Sequence, residues 1–219
     1  MRRRLFPARS AWGDPVRALH RFATTIALLI APSAAQAHLV DTRLGDFYGG
    51  VLHPLTAFEE VLPWLALAAL AAFQGAERAR WLVVVFPLGL LAGCALSQVL
   101  PSPSFAPAIT VALIAVTGLA VAAAVRLPLL ALLGLAAVMG LVHGHQNGQA
   151  MTATTDHLLF ISGVTAIGYG VMTLATGGAI AFLRGVGGWR PIALRASGSW
   201  VAAVGIMVLG LQFITPVTN

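Results

Sequence analysis

The chain has 219 residues, 58% of them hydrophobic and only 9% charged, with a mean hydropathy of +0.88. A soluble domain carries about 25% charged residues, so this composition excludes one and points to an all-α polytopic membrane protein. The net charge of +6 does not signal a nucleic-acid partner: no lysine occurs, and six of the thirteen arginines precede residue 38, against the single acid Asp14.

Those arginines (Arg2, Arg3, Arg4, Arg9, Arg17 and Arg21) lead into a short apolar stretch, residues 22–31, then Pro32 and the small-x-small sequence Ala35-Gln36-Ala37. This layout is that of a cleaved signal peptide over residues 1–37. The mature chain, 38–219, would then begin at His38 with a free amine beside its imidazole. Arg3-Arg4 lies too far from the apolar region for a twin-arginine signal. Cys94 falls inside an apolar run and is the only cysteine, so no internal disulfide can form.

Six spans are predicted, at about 54–73, 81–100, 106–125, 127–144, 157–183 and 194–214, each long enough to cross a bilayer core of ~30 Å. The connections are short, which makes consecutive helices antiparallel neighbours in a compact bundle. Gly89-x-x-x-Gly93, with Gly163, Gly168 and Gly170, is expected to let helices approach closely. Arg78, Arg80, Arg126, Arg184 and Arg190 fall in alternate connections, Arg195 adjoins one of them at the start of the sixth span, and only Arg43 lies on the other side. The positive-inside rule puts the six in the cytoplasm of a bacterial inner membrane, with both mature termini periplasmic. A cleaved signal independently places His38 outside.

With that orientation every histidine after the signal, His38, His53, His143, His145 and His157, sits at an outer helix end or outer segment. Asp41, Asp46, Glu59, Glu60 and Asp156 do too, whereas the cytoplasmic side holds only Glu77. Imidazoles and carboxylates gathered at the mouth of a membrane bundle are the donors of a borderline divalent cation such as nickel, cobalt, zinc or copper. The candidate metal residues are His38, His53, Glu59, Glu60, His143, His145, Asp156 and His157.

Local geometry constrains this set. Pro54 suits a first helical position, which puts Glu59 and Glu60 in the second turn, too deep for a simple helix-dipole role. On a straight helix Glu60 shares a face with His53 but lies ~10 Å deeper. The two can share one ion only if the start unwinds; otherwise they are successive stations. His143 and His145, two apart, converge only if the chain unwinds at Gly144 and Gly148. Thr154 or Thr155 is the expected cap of the fifth helix, with Asp156 in its first turn and able to orient His157.

Enzyme signatures are sparse. Ala196-Ser197-Gly198 lacks the leading glycine of an intramembrane serine protease motif, and without lysine there is no phosphate-binding loop.

The stretch His53-Pro54-Leu55-Thr56-Ala57-Phe58-Glu59-Glu60, with His143-Gly144-His145-Gln146-Asn147-Gly148-Gln149, resembles the HupE/UreJ family. That family has a cleaved signal, a first-span motif HPLxGxDH and a fourth-span motif HGxxHGxE. The resemblance implies a six-span inner-membrane permease taking up nickel or cobalt, associated with hydrogenase or urease maturation. His53, His143, Gly144 and Gly148 match, and Glu59 keeps a carboxylate. Glu60 stands where the family has histidine, Asn147 replaces the second histidine of the other motif, and Gln149 replaces its glutamate. His145 and the Asp156-His157 pair offer replacement ligands. Two other readings remain open: a non-transporting accessory bundle that assists assembly of a complex, and an intramembrane metal-dependent hydrolase. Against the second, no compact two-histidine metalloprotease motif occurs.

Overall fold

The computed structural model describes residues 45–214, and these are helical with no strand. The expected signal peptide and His38 lie outside the described residues. In chain order the helices are α1 (Gly45–Thr56), α2 (Phe58–Phe73), α3 (Ala76–Ala79), α4 (Leu82–Leu96), α5 (Ala106–Ala122), α6 (Leu129–Gln149), α7 (His157–Arg184) and α8 (Trp189–Ile214).

Four stretches are long and apolar enough to cross a bilayer: Ala76–Leu96, Leu129–Gln149, His157–Arg184 and Trp189–Gln212. The first predicted span is not one helix. α1 and α2 meet at a break of 76°, and only together do they have the length and hydropathy of a span. α5, at 17 residues, is shorter than the other four. Its predicted partner 106–125 loses its last turn where Ala124 adopts φ 48°.

Two other boundaries moved. The fourth span was expected to end near residue 144, yet α6 continues as unbroken helix to Gln149. The sixth begins at Trp189 rather than 194. Both extensions carry polar residues that a hydropathy window discards but that a helix accommodates where neighbours accept their side chains.

Small residues decide which helices touch. Gly89 and Gly93 of α4, with Ser97 that caps it, face Gly140, Gly144 and Gly148 of α6, one pair per turn. A Cβ built on Gly144 would sit 2.2 Å from the Leu90 carbonyl oxygen, and one on Gly93 2.2 Å from that of Leu141. α5 and α8 make the same kind of seam, with Gly118 against Ala202 and Gly205 against Ala115. α1 lies on α7 through Gly50, whose added Cβ would meet the Phe160 carbonyl oxygen at 2.1 Å, and Gly163, which would meet that of Phe47 at 2.1 Å. Without a hydrophobic driving force between helices in lipid, close backbone approach is what binds them. Gly168 joins this packing against Leu90, but Gly170 has open space around it, so its expected role in close approach fails.

The inward faces are lined by Trp64, Leu67, Leu70, Leu82, Phe86, Leu90, Leu132, Met139, Met172 and Val164, all fully buried. Large apolar side chains such as Leu130, Leu158, Leu174 and Trp200 point outward, as expected of a surface that meets lipid rather than water. At the end carrying the arginines, Gln74 closes α2 onto the α5–α6 connection. Its amide donates to the Val125 carbonyl (2.8 Å) and accepts from the Leu127 N–H (3.1 Å).

Candidate metal site

The site begins at Ala57, the residue between α1 and α2, whose extended backbone (φ −95°, ψ 102°) stops one helix and starts the next. Its N–H reaches back to the Pro54 carbonyl (3.3 Å), while its own carbonyl accepts from the Glu60 and Val61 N–H groups (3.0 and 3.1 Å). The Thr56 hydroxyl ties off the His53 carbonyl at 2.9 Å. Pro54, lacking an N–H, weakens the last turn of α1. The break resets the helix register, so Glu59 and Glu60 stand in the first turn of α2. The expectation that they lie too deep to meet a helix dipole is therefore corrected: carboxylates in a first turn offset its positive end.

The break also resolves the separation of His53 from Glu60. Both line one cavity of about 460 Å³, together with Thr56, Ala57, Glu59 and Gln146. His53 and Glu59 are exposed at its rim, and His53 lies against the Phe160 ring with centroids 6.1 Å apart. Glu60 is only 4% exposed and forms the floor. Its Oε2 accepts a hydrogen bond from the Asn147 side-chain amide. That amide also donates to the His143 carbonyl at 2.8 Å, so Asn147 couples the acid to the backbone of α6. Gln146 is positioned by donating to the Thr110 hydroxyl of α5.

The other expected ligands separate. His143 is wholly buried one turn deeper, where its Nδ1 accepts from the Trp64 indole at 2.7 Å. His145 points away from it, its ring nitrogens 3.0 Å from the Leu100 carbonyl and 3.4 Å from the Ser102 hydroxyl. It borders a different, apolar cavity with Leu96, Ile109 and Leu141. The unwinding at Gly144 and Gly148 that His143 and His145 would need in order to converge does not occur, because both glycines are pressed against α4 and α6 stays helical through them. Asp156 is itself the cap of α7, accepting from the Leu159 N–H at 3.1 Å, in place of Thr154 or Thr155. Its own N–H donates to Asp46 at 2.7 Å. His157 is exposed. Among the described residues no three of histidine, cysteine, aspartate and glutamate converge closely enough to hold an ion. The pocket unites His53, Glu59 and Glu60 around one volume without a closed coordination shell.

Sequence reasoning missed Trp64, Thr110 and Gln146. Trp64 had a signal: an indole N–H buried in an apolar run requires an acceptor, and few are available in the interior. Gln146 and Thr110 carried none, since their pairing joins helices distant in sequence.

A profile of the HupE / UreJ protein family matches residues 26–208. The protein HupE of Rhizobium leguminosarum bv. viciae is 28% identical over 193 residues, covering 86% of this chain and 97% of that protein. No solved structure matches. The helical membrane architecture, the polar pocket at the broken first span and the extent of the family match lead to one conclusion: this chain belongs to the HupE/UreJ family.

Proposed function

We propose that the protein is a six-span inner-membrane permease that takes up a divalent transition cation from the periplasm, with nickel or cobalt as the substrate. The observation that carries this reading is the cavity at the Ala57 break, where His53, Glu59 and Glu60 face a shared volume in an otherwise apolar bundle. A buried carboxylate in a membrane interior costs several kcal/mol unless its charge is used. A cation entering the pocket supplies the missing charge, and imidazole plus carboxylates suit a borderline metal. Asp156 and His157 would lie on the approach, outside the pocket. HupE and UreJ proteins are accessory to metalloenzymes, which makes a maturation system the consumer of the ion. Zinc and copper are the competing substrates for the same donors.

The test is uptake of radiolabelled nickel, cobalt, zinc and copper by cells expressing the wild type, Glu60→Gln or His53→Ala. Wild-type cells should accumulate one of these ions well above empty-vector cells, and both variants should lose most of that gain. Uptake equal in all three strains overturns the permease reading. A second reading, a non-transporting accessory bundle, draws on the lack of three convergent donors among the described residues. It predicts tight metal-independent association with a partner and no uptake by the wild type.

A further inference from the structure

We propose that Trp64 is a positioning residue that fixes His143 as the Nε2–H tautomer, taking both its ring nitrogens out of metal coordination and leaving the cation to the His53–Glu59–Glu60 pocket. The second half of that statement rests on the permease reading; the first does not.

An indole Nε1–H only donates, and it lies 2.7 Å from His143 Nδ1. Nδ1 must therefore present its lone pair to Trp64. A neutral imidazole with a bare Nδ1 carries its proton on Nε2. The doubly protonated ring is excluded as well, because it would set N–H against N–H. Nδ1 is occupied and Nε2 holds a hydrogen, so neither nitrogen has a lone pair for a metal. Metal-bound histidines use the opposite arrangement, in which the second nitrogen donates to a carboxylate or carbonyl and leaves the first free to ligate.

Both partners are held in place. Trp64 is fully buried and meets Phe86 edge to face, with centroids 5.1 Å apart and planes at 73°, so the indole cannot swing aside without losing that contact. His143 is fixed by its helix: Gly140 and Gly144 on either side seat α6 against the α4 backbone. Rotating α6 to redirect the ring would drive those positions into carbonyl oxygens. What His143 offers is a donor, since Nε2 is buried with no protein acceptor. One turn along the same helix Asn147 Oδ1 is a buried acceptor, also without a partner. An open donor and an open acceptor are each complemented by a neutral group such as water. An N–H dipole presents its positive end and repels a cation.

The experiment is nitrogen NMR on the full chain in detergent or nanodiscs, labelled with 15N in histidine and tryptophan. His143 is assigned by its hydrogen-bond coupling to a tryptophan indole N–H, which needs no variant. The expected spectrum has a pyridine-type shift at His143 Nδ1 and a pyrrole-type shift at Nε2. Zinc, which is diamagnetic, should then move the His53 resonances and leave His143 in place. In Trp64→Phe the Nδ1 loses its donor, so the His143 signals should shift toward a tautomer mixture. A pyrrole-type Nδ1 in the wild type, or a zinc-induced shift of His143 Nε2 to a metal-bound position, overturns the proposal. If zinc binds nowhere, the permease reading suffers, while the metal-free spectrum still decides the role of Trp64.

Discussion

Glu60 and Asn147 form one unit at the floor of the pocket, and each half of it makes a different prediction. Glu60→Gln keeps a group that can accept from the Asn147 amide but removes the charge. Thermal stability in detergent should hold or rise, because a buried unpaired charge is costly. Metal affinity, read by calorimetry, should fall by about tenfold or more. Asn147→Ala keeps the charge and strips its hydrogen bond; it should lower stability by roughly 1 kcal/mol, read from the melting curve, with a smaller loss of affinity. Metal binding should also weaken as pH falls, since imidazole and carboxylate must be deprotonated to ligate. Much of this residue set was legible. His53, Glu59 and Glu60 were singled out because charge and imidazole are anomalous in an apolar run. The fates of His143 and His145 were not legible. Two positions on one helix point in different directions, and partners distant in sequence, the Trp64 indole for one ring and the Leu100 carbonyl with the Ser102 hydroxyl for the other, decide where each ring goes.

At the scale of the element, the glycines of α6 carry the clearest prediction. Gly144→Leu places a side chain where even a Cβ would lie 2.2 Å from the Leu90 oxygen, so α4 and α6 must separate. Folded protein recovered in detergent should fall sharply, with protease sensitivity rising in both helices. Gly134→Ala, on the same helix with open space around it, should be neutral or stabilise by up to about 1 kcal/mol through helix propensity. The sequence showed Gly89-x-x-x-Gly93 as a packing motif, and the structure supplies its partner. It also explains why Gly144 and Gly148 suggested flexibility in isolation: glycine serves both a loose backbone and a tight contact, and only the facing helix distinguishes them. The break at Ala57 was less legible still. Its immediate sequence offers no glycine and no side-chain cap, so it rests on Pro54 and on the way α1 lies across α7.

For the whole molecule, the apolar runs gave the helices and their order, because hydropathy depends on composition and not on contacts. Their ends were misplaced wherever polar side chains continue a helix, as at His145–Gln149. The proposed orientation is testable with introduced cysteines, since the native Cys94 is buried. Ser102→Cys and Thr154→Cys should react with a membrane-impermeant maleimide on spheroplasts, whereas Gly187→Cys should react only after permeabilisation. Labelling of all three from outside would reverse or dissolve the assigned sidedness.

The α1–α7 seam has a consequence for the pocket as a measuring device. His53 is mounted on α1, which rests on α7 through Gly50 and Gly163, while Glu60 is mounted on α2, beyond the bend. The two jaws are joined by a single residue and both helices rest on α7, so the gap between them depends on how closely α1 sits against that helix. Thickening the seam with Gly163→Ala pushes directly on α1 at Phe47 and should shift His53 more than Glu60. It should change which ion radius is preferred without altering any side chain that faces the ion.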